Sequence, residues 1–418
     1  MLTEREESYR VLLLWQKEGA FIKESGLSPF AMELALGVCR RHLYLEYFIK
    51  TLTKKMPSLE VKTVLEMGLF QMFFMDVPDH AAINTSVELA KSANLGDGAA
   101  RLVNAVLRGA RRTGEPALPP QRVRRVSIEN SVPEWIVRRW FDIYGADAAE
   151  AIAKSTLERP VEWVRVNTQK SSAPVVAQKI GLHGASILYD RYIELPRDVG
   201  VKLLLALPEF VKGEFSFQNP SAFEVVKLLD LKPGLKVWDA CAAPGGKSAL
   251  MAEMDSSLEI LASDSSANRL EKMQDLMNRL GLTNVKTECI DVLAPRSEAT
   301  SERSDLTPLF DRVLLDVPCS NMGVIARRPE SVYRLTPESV KELSELQYSI
   351  LENASKFLAE GGRLVYATCS PDPMETTQVI NRFLKAHPEF VKAGSAILPG
   401  KNDPRLDGFF AQALEYKK

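Results

Sequence analysis

Two cysteines stand where apolar runs end, each followed by a serine. One closes Leu314-Leu315-Asp316-Val317-Pro318-Cys319-Ser320 and the other lies in Tyr366-Ala367-Thr368-Cys369-Ser370-Pro371. A lone buried cysteine is ordinarily a small hydrophobe. Two of them at matching ends of predicted strands, with Asp316 beside one, point instead to thiol chemistry in a shared crevice. A thiolate can add to an electron-poor carbon of a conjugated ring, and a second acid–base group is then needed to take the adduct apart. A free thiol has a pKa of about 8.5 and is little ionised near neutrality, so nearby positive groups would raise its reactivity. Carbon 5 of cytosine is one centre that needs such help. It is a poor nucleophile until a thiolate adds to carbon 6 and makes it enamine-like. Asp316 would accept from the exocyclic amine or share a proton with the ring nitrogen, favouring cytosine over uracil. The residues alone do not choose which cysteine attacks and which assists release.

The other strand ends describe a place for a cofactor. The run Lys236-Val237-Trp238-Asp239-Ala240 leads into Cys241-Ala242-Ala243-Pro244-Gly245-Gly246-Lys247, a turn of small residues that lets backbone approach a ligand before a helix begins. Asp264 ends the next strand, 17 residues past Lys247, where an acid can bond both hydroxyls of a ribose. Asp291 follows the third strand, where it could meet an adenine amino group. Gly246-Lys247-Ser248 matches the end of the phosphate-cradling loop G-x-x-x-x-G-K-[ST], but Cys241 occupies the first glycine position and Pro244 removes a backbone donor. No G-x-G-x-x-G follows the strand either. A ribose and an adenine without a pyrophosphate indicate S-adenosyl-L-methionine.

These residues need a sheet to align them. After Phe217-Gln218-Asn219-Pro220 the chain alternates buried strands with helices, the sequence form of a parallel α/β sheet whose ligands lie beyond the carboxyl ends of its strands. The predicted strands are 236–241, 259–264, 285–290, 312–319 and 363–369, and the predicted helices 247–254, 266–280 and 337–358. The polar segment 296–308 reads as a surface loop. Upstream, apolar residues recur at helical spacing, as in Val61, Val64, Leu65, Leu69 and Met72 and again in Leu102, Val103, Val106 and Leu107. Gly114-Glu115-Pro116-Ala117-Leu118-Pro119-Pro120 cannot continue a helix. The organisation expected is thus multidomain: an all-α N-terminal domain over 1–127, a small α+β linker module over 128–215, and a C-terminal Rossmann-like α/β domain over 216–418. Within the module, 163–167 reads as a strand and 173–180 as a helix, with short strands near Ile187 and Phe215.

Composition narrows the setting. The chain has 418 residues, 45% hydrophobic and 26% charged, and no apolar run nears the roughly 18 residues of a membrane span. Its five cysteines, Cys39, Cys241, Cys289, Cys319 and Cys369, have neither disulfide-framework nor metal spacing, so the expectation is a cytoplasmic protein without a metal; a monomer is expected as well. The net charge of −1 advertises no nucleic acid. Between 101 and 125, however, Arg101, Arg108, Arg111, Arg112, Arg122, Arg124 and Arg125 face a single acid, Glu115. That run reads equally as a phosphate-binding face or as a solvated helix end.

Asp239 to Lys247, Asp316-Val317-Pro318-Cys319-Ser320 and Thr368-Cys369-Ser370 together resemble the RNA (cytosine-5) methyltransferase family related to the Sun and Nop2 proteins. Gln218-Asn219 is similar to that family's opening motif, and Asp407-Gly408-Phe409-Phe410-Ala411 to its closing strand. Glu66-Met67-Gly68-Leu69-Phe70-Gln71, His80-Ala81-Ala82-Ile83-Asn84 and Leu102 to Arg108 resemble the NusB-type RNA-binding domain fused to one bacterial branch. The resemblance implies methylation of a cytosine in small-subunit ribosomal RNA. It implies Cys369 as the nucleophile and Cys319 as the residue assisting release. Cys241, Ala242, Ala243, Pro244, Gly245, Gly246, Lys247, Asp264, Asp291 and Asp316 would line the cofactor site, with Lys247 also reaching the target base. Arg101, Arg108, Arg111 and Arg112, and the pair Arg327-Arg328, would hold RNA phosphates around an extruded base. Asn321-Met322 departs from the family pattern, which has smaller residues there, and would reshape the pocket. The competing readings are an RNA-binding adaptor with a degenerate α/β half, against which the intact cysteines and acids count, and a phosphate-loop nucleotide hydrolase.

Overall fold

The computed structural model describes residues 3–22, 26–197, 199–294, 309–398, 403 and 405–417. The segment expected as a loop at 296–308 lies outside the described residues. The chain forms two compact units, one of Met1–Arg159 with Ile325–Arg334 and the other of Pro160–Val324 with Leu335–Lys418.

The first unit is helical. Thr3 opens helix Glu4–Glu18 with a reciprocal cap to Glu6, and Ser28 caps Pro29–Arg40 with proline at its first position. Helix Leu59–Phe74 is buried on nearly every side and is the axis of the core, which gathers Val64, Leu65, Met67 and Leu69 with Leu34, Leu45, Phe48, Val103 and Leu107. Two glycines set how closely its neighbours approach: a Cβ on Gly37 would lie 2.0 Å from the Phe70 ring, and one on Gly68 would lie 2.7 Å from Leu107. Helix Asp97–Thr113 buries Ala100, Val103, Val106, Leu107 and Ala110 and turns Arg101, Arg108, Arg111 and Arg112 to solvent.

This unit runs past residue 127 to Arg159. The prolines do end a helix, but helix Arg122–Asn130 then packs on His42–Leu52, and Ser131 Oγ accepts from the Tyr44 amide at 3.1 Å. The unit also takes in Ile325–Arg334. Tyr333 donates to the Ser131 carbonyl at 2.8 Å and meets Trp15 and His42 edge-on, while Arg40 holds the Ala326 carbonyl at 3.2 Å. Arg327 and Arg328 therefore belong to the helical unit, with the Arg328 guanidinium 5.7 Å from the centre of the Phe21 ring.

The second unit holds two sheets. The smaller is antiparallel, in the order β2-β3-β1-β4, with β1 Trp163–Val166, β2 Ile187–Leu188, β3 Tyr192–Glu194 and β4 Phe215–Phe217. Helix Ala173–Lys179 packs its Val176 and Ala177 into the core under this sheet. The larger sheet runs β10-β11-β9-β8-β5-β6-β7. Its strands are β5 Lys236–Asp239, β6 Glu259–Asp264, β7 Val285–Cys289, β8 Phe310–Asp316, β9 Leu358–Thr368, β10 Phe390–Ile397 and β11 Phe410–Tyr416. Strands β5 to β9 pair in parallel, and β11 and β10 add an antiparallel edge beside β9. Helices Gly246–Met254, Ala267–Leu280 and Pro337–Ser355 stand close to the predicted limits. Strand order reverses at β5, between β8 and β6, which opens a crevice over the carboxyl ends of these strands.

Candidate active site

The crevice is a cavity of about 440 Å³ in the second unit. It is lined by Cys241, Ala243, Asp264, Asp291, Asp316, Cys319 and Cys369, all named from the sequence, by Asn321, expected there only to reshape the pocket, and by Arg269, for which no role was expected. Its size lies within the range of small-molecule sites.

The turn at 241–247 is shaped from beneath. Gly245 has φ of 97°, and a Cβ there would fall 2.7 Å from Met273, so this position both requires left-handed backbone and seats the turn on helix Ala267–Leu280. Arg165 of β1, 1% exposed, donates to the Gly246 carbonyl at 2.7 Å, to Gln218 at 2.6 Å and to Glu253 at 2.9 Å. The small sheet thus fixes the start of the helix that carries Lys247, and Gln218 of the opening motif acts as a strut of that arrangement.

Asp264 is buried at the end of β6 and accepts from the Ser266 amide at 3.0 Å. Arg269 lies 3.1 Å from its other oxygen and also donates to the Ala243 carbonyl. Asp291 is exposed beyond β7 and lines the far side of the cavity with Ile290, Val292 and Leu293. Asp239, 1% exposed, takes a hydrogen bond from Ser248 at 2.5 Å, and burial pushes its pKa up to about 7. Among the described residues its second oxygen has no hydrogen-bond partner. The lining combines the carboxylates of Asp264, Asp291 and Asp316 with apolar Ile290, Val317, Pro318 and Ile350, which fits a nucleoside with hydroxyls, an amine and a positive sulfonium. It fits a triphosphate poorly, because Asp264, Asp291 and Asp316 would repel it.

Lys247, the charged residue of the match to a phosphate loop, is engaged elsewhere. Its Nζ lies 2.6 Å from Asp316 Oδ2. Burial disfavours its charge, but the neighbouring Asp316 and Asp239 carboxylates outweigh burial and hold its pKa above the ordinary value.

The two thiols meet because β8 and β9 are adjacent and parallel, with Asp316 opposite Ala367 in the register. The Val317 amide donates to the Ala367 carbonyl at 3.0 Å and keeps the two chain ends together past the strands. Cys319 Sγ and Cys369 Sγ lie 2.7 Å apart. Asn321, the departure from the family pattern, sits at φ of 60°, a conformation asparagine tolerates better than most residues. Its side chain accepts from Cys369 Sγ at 3.1 Å and donates to the Cys319 carbonyl at 3.1 Å. Of the remaining cysteines, Cys39 is buried in the helical unit and Cys289 is exposed at the end of β7.

The hydrogen bond with Cys319, then burial, then the charges of Cys319 and Asp316 raise the Cys369 pKa well above its usual value, against the pull of Lys247. The resting group is a thiol. Since only the thiolate attacks, alkylation of Cys369 by iodoacetamide should speed up about tenfold per pH unit from pH 7 to 9. Cys319→Ala removes the leading cause, so the same reaction at pH 7 should become faster. Mass spectrometry of the alkylated peptide measures both, and a pH-independent rate would contradict the assignment of cause.

Residues 226–404 match the family described as 16S rRNA methyltransferase RsmB/F, 5–112 the NusB family, and 132–189 a ferredoxin-like domain of RsmF/B-like methyltransferases. The chain is 35% identical over 444 aligned positions to the probable ribosomal RNA small subunit methyltransferase B of Bacillus subtilis (strain 168), across 99% of this chain and 96% of that protein. The chain belongs to the ribosomal RNA small subunit methyltransferase B family. A solved structure of PH0851 shares the fold with a TM-score of 0.79 at 22% identity, over 100% of this chain and 99% of that one. A methyltransferase homolog protein from Pyrococcus horikoshii aligns with a TM-score of 0.58 at 25% identity, over 72% of this chain and 100% of that one. Members of the ribosomal RNA small subunit methyltransferase B family thus supply the frame for this chain: an all-helical NusB-like N-terminal domain, a small linker module and a Rossmann-like methyltransferase domain. Among the described residues no helix is long and apolar enough to cross a membrane.

Proposed function

We propose that this protein methylates carbon 5 of a cytosine in small-subunit ribosomal RNA with S-adenosyl-L-methionine, through a covalent bond between Cys369 and carbon 6. The observation that carries this reading is the pair of sulfurs 2.7 Å apart, opening on one cavity with Asp316. Cys241 to Lys247, Asp264, Asp291 and Asp316 hold the cofactor, which when bound supplies an electrophilic methyl group.

Cys369 passes its proton to the Asp316 carboxylate as the base enters, and its thiolate adds to carbon 6. The ring electrons shift toward carbon 5 and the ring nitrogen, where the proton that Asp316 has received from Cys369 meets the developing charge. Lys247 neutralises Asp316 in the resting site and orients it. After methylation, Cys319, its own proton lost to solvent, takes the proton from carbon 5, the double bond re-forms, the ring nitrogen returns its proton to Asp316, and Cys369 leaves as thiolate. One carbon–hydrogen bond is exchanged for one carbon–carbon bond, and one proton is released. Arg101, Arg108, Arg111 and Arg112, exposed along one helix, and Arg327-Arg328 contact RNA phosphates. Arg122 is already paired with Asp147 and Glu150, each at 2.7 Å, and is less available for that task, while Arg111, 3.2 Å from Asp79, must exchange that partner for a phosphate.

Calorimetry separates this reading from a nucleotide hydrolase. S-adenosyl-L-methionine should bind and ATP with magnesium should not; binding of ATP alone would remove it. Bisulfite sequencing of small-subunit ribosomal RNA from a strain lacking the protein should show loss of one 5-methylcytosine that returns on complementation. An unchanged bisulfite pattern would refute the substrate.

A further inference from the structure

Cys319 and Cys369 lie on separate turns, and strand pairing alone ends before either sulfur. Beyond that point the turns are joined by Asn321, by the Gly323 amide, which donates to the Cys369 carbonyl at 2.8 Å, and by one buried carboxyl group that reaches the residues next to both thiols. Glu375, with no exposed surface, stands in a short 3₁₀ turn, Pro373–Glu375, that Asp372 caps through the Met374 amide. Its Oε1 accepts from the Ser320 amide at 2.9 Å and from Gln347 Nε2 at 3.0 Å. Its Oε2 accepts from the Ser320 and Ser370 hydroxyls, both at 2.5 Å. Ser320 follows Cys319 and Ser370 follows Cys369, so each cysteine is one residue from a group that this carboxyl holds. Gln347 also donates to the Pro318 carbonyl at 2.9 Å, and Tyr366 to the Glu375 carbonyl at 2.7 Å. Ser320, Ser370, Gln347 and Tyr366 are each 2% exposed or less.

Burying a carboxyl group is costly unless its lone pairs are filled, and four donors converge here to fill them. A core needing only to fill space would be served as well by an apolar side chain. A group placed at this cost, bridging the residues next to both thiols while touching neither sulfur, has the form of a support for a reacting pair.

We propose that Glu375 is a positioning residue that holds Cys319 and Cys369 opposite one another; for its effect on catalysis this rests on the two-thiol reading given above. Glu375→Gln keeps the shape but puts an amide where the Ser320 and Ser370 hydroxyls now donate, so both hydroxyls must turn to accept and their hydrogens lose their carboxylate acceptor. The turns then separate, and misplacement by about 1 Å can cost on the order of 100-fold in rate. The expected result is a kcat lowered about 10- to 100-fold, with the KM for RNA and the affinity for S-adenosyl-L-methionine little changed.

A readout independent of methylation uses phenylarsine oxide, which condenses with two thiols and releases water only when both sulfurs reach one arsenic. Wild type should bind it in the Cys319–Cys369 pair, and Cys319→Ser should abolish that binding. Glu375→Gln should weaken it about tenfold, and Ser370→Ala, which removes one arm of the bridge, should weaken it less. Should Glu375→Ala fail to fold, these two milder variants carry the test. Unchanged phenylarsine oxide affinity in both would overturn the proposal, whatever happens to kcat. Weakened affinity with full methylation would uphold Glu375 as the support of the thiols and reject the two-thiol mechanism instead.

Discussion

Cys369→Ala should abolish methyl transfer, lowering the rate by at least about 10,000-fold, while calorimetry finds S-adenosyl-L-methionine binding nearly intact. The size follows from what the thiol supplies. Without addition at carbon 6, carbon 5 has no electron pair to offer, and no positioning by Asp316 or Lys247 restores one. Cofactor affinity should survive because Asp264, Asp291 and the 241–247 turn lie on β5, β6 and β7, away from the end of β9. Cys369→Ser is the sharper comparison. A hydroxyl keeps the shape and the hydrogen bond to Asn321, but it ionises far less readily than a thiol, so transfer of tritiated methyl should remain at background. Appreciable transfer by either variant would remove Cys369 from the chemistry.

The parts of this site that could be seen in the sequence are those where chemistry and strand pattern coincide. Asp316-Val317-Pro318-Cys319 and Thr368-Cys369 end apolar runs, and strands β8 and β9 are neighbours, so two separately identified thiols became one pair. The acids followed the same logic, each beyond a buried strand of an α/β sheet. Strand β10 escaped notice because Lys392, Gly394 and Ser395 break its alternation; it is a sheet edge with one face in solvent. The extent of the helical unit was hidden for another reason. Three prolines end a helix without ending the packing, since the residues after them return to His42–Leu52, and nothing in Ile325–Arg334 signals that Tyr333 will pack against Trp15 and His42. Arg165 and Glu253, 88 residues apart, and Ser320 and Glu375, 55 apart, form bridges between long-range partners, and neither shows a local pattern. Asn321 was noticed only as an oddity. Its contact with Cys369 required the turn geometry that its positive φ creates.

Cys319→Ala should have the opposite consequence to loss of Cys369: a protein–RNA adduct that accumulates and survives denaturing electrophoresis. Cys369 remains to attack carbon 6, so the covalent bond forms, and its thiol should be the more readily ionised for losing the hydrogen bond to Cys319. What is missing is the group 2.7 Å away that takes the carbon 5 proton, and loss of a positioned general base slows a step by about 100- to 10,000-fold. Addition then outruns elimination, and the intermediate builds up on ordinary RNA. Wild type given RNA with 5-fluorocytosine at the target should stop at the same point, because fluorine cannot leave as a proton. The two adducts should therefore share one mobility and one peptide attachment site, at Cys369. An adduct formed by Cys369→Ala on ordinary RNA would exchange the roles of the two thiols. Turnover by Cys319→Ala without any adduct would mean that another base, with Asp316 the nearest candidate, removes the proton.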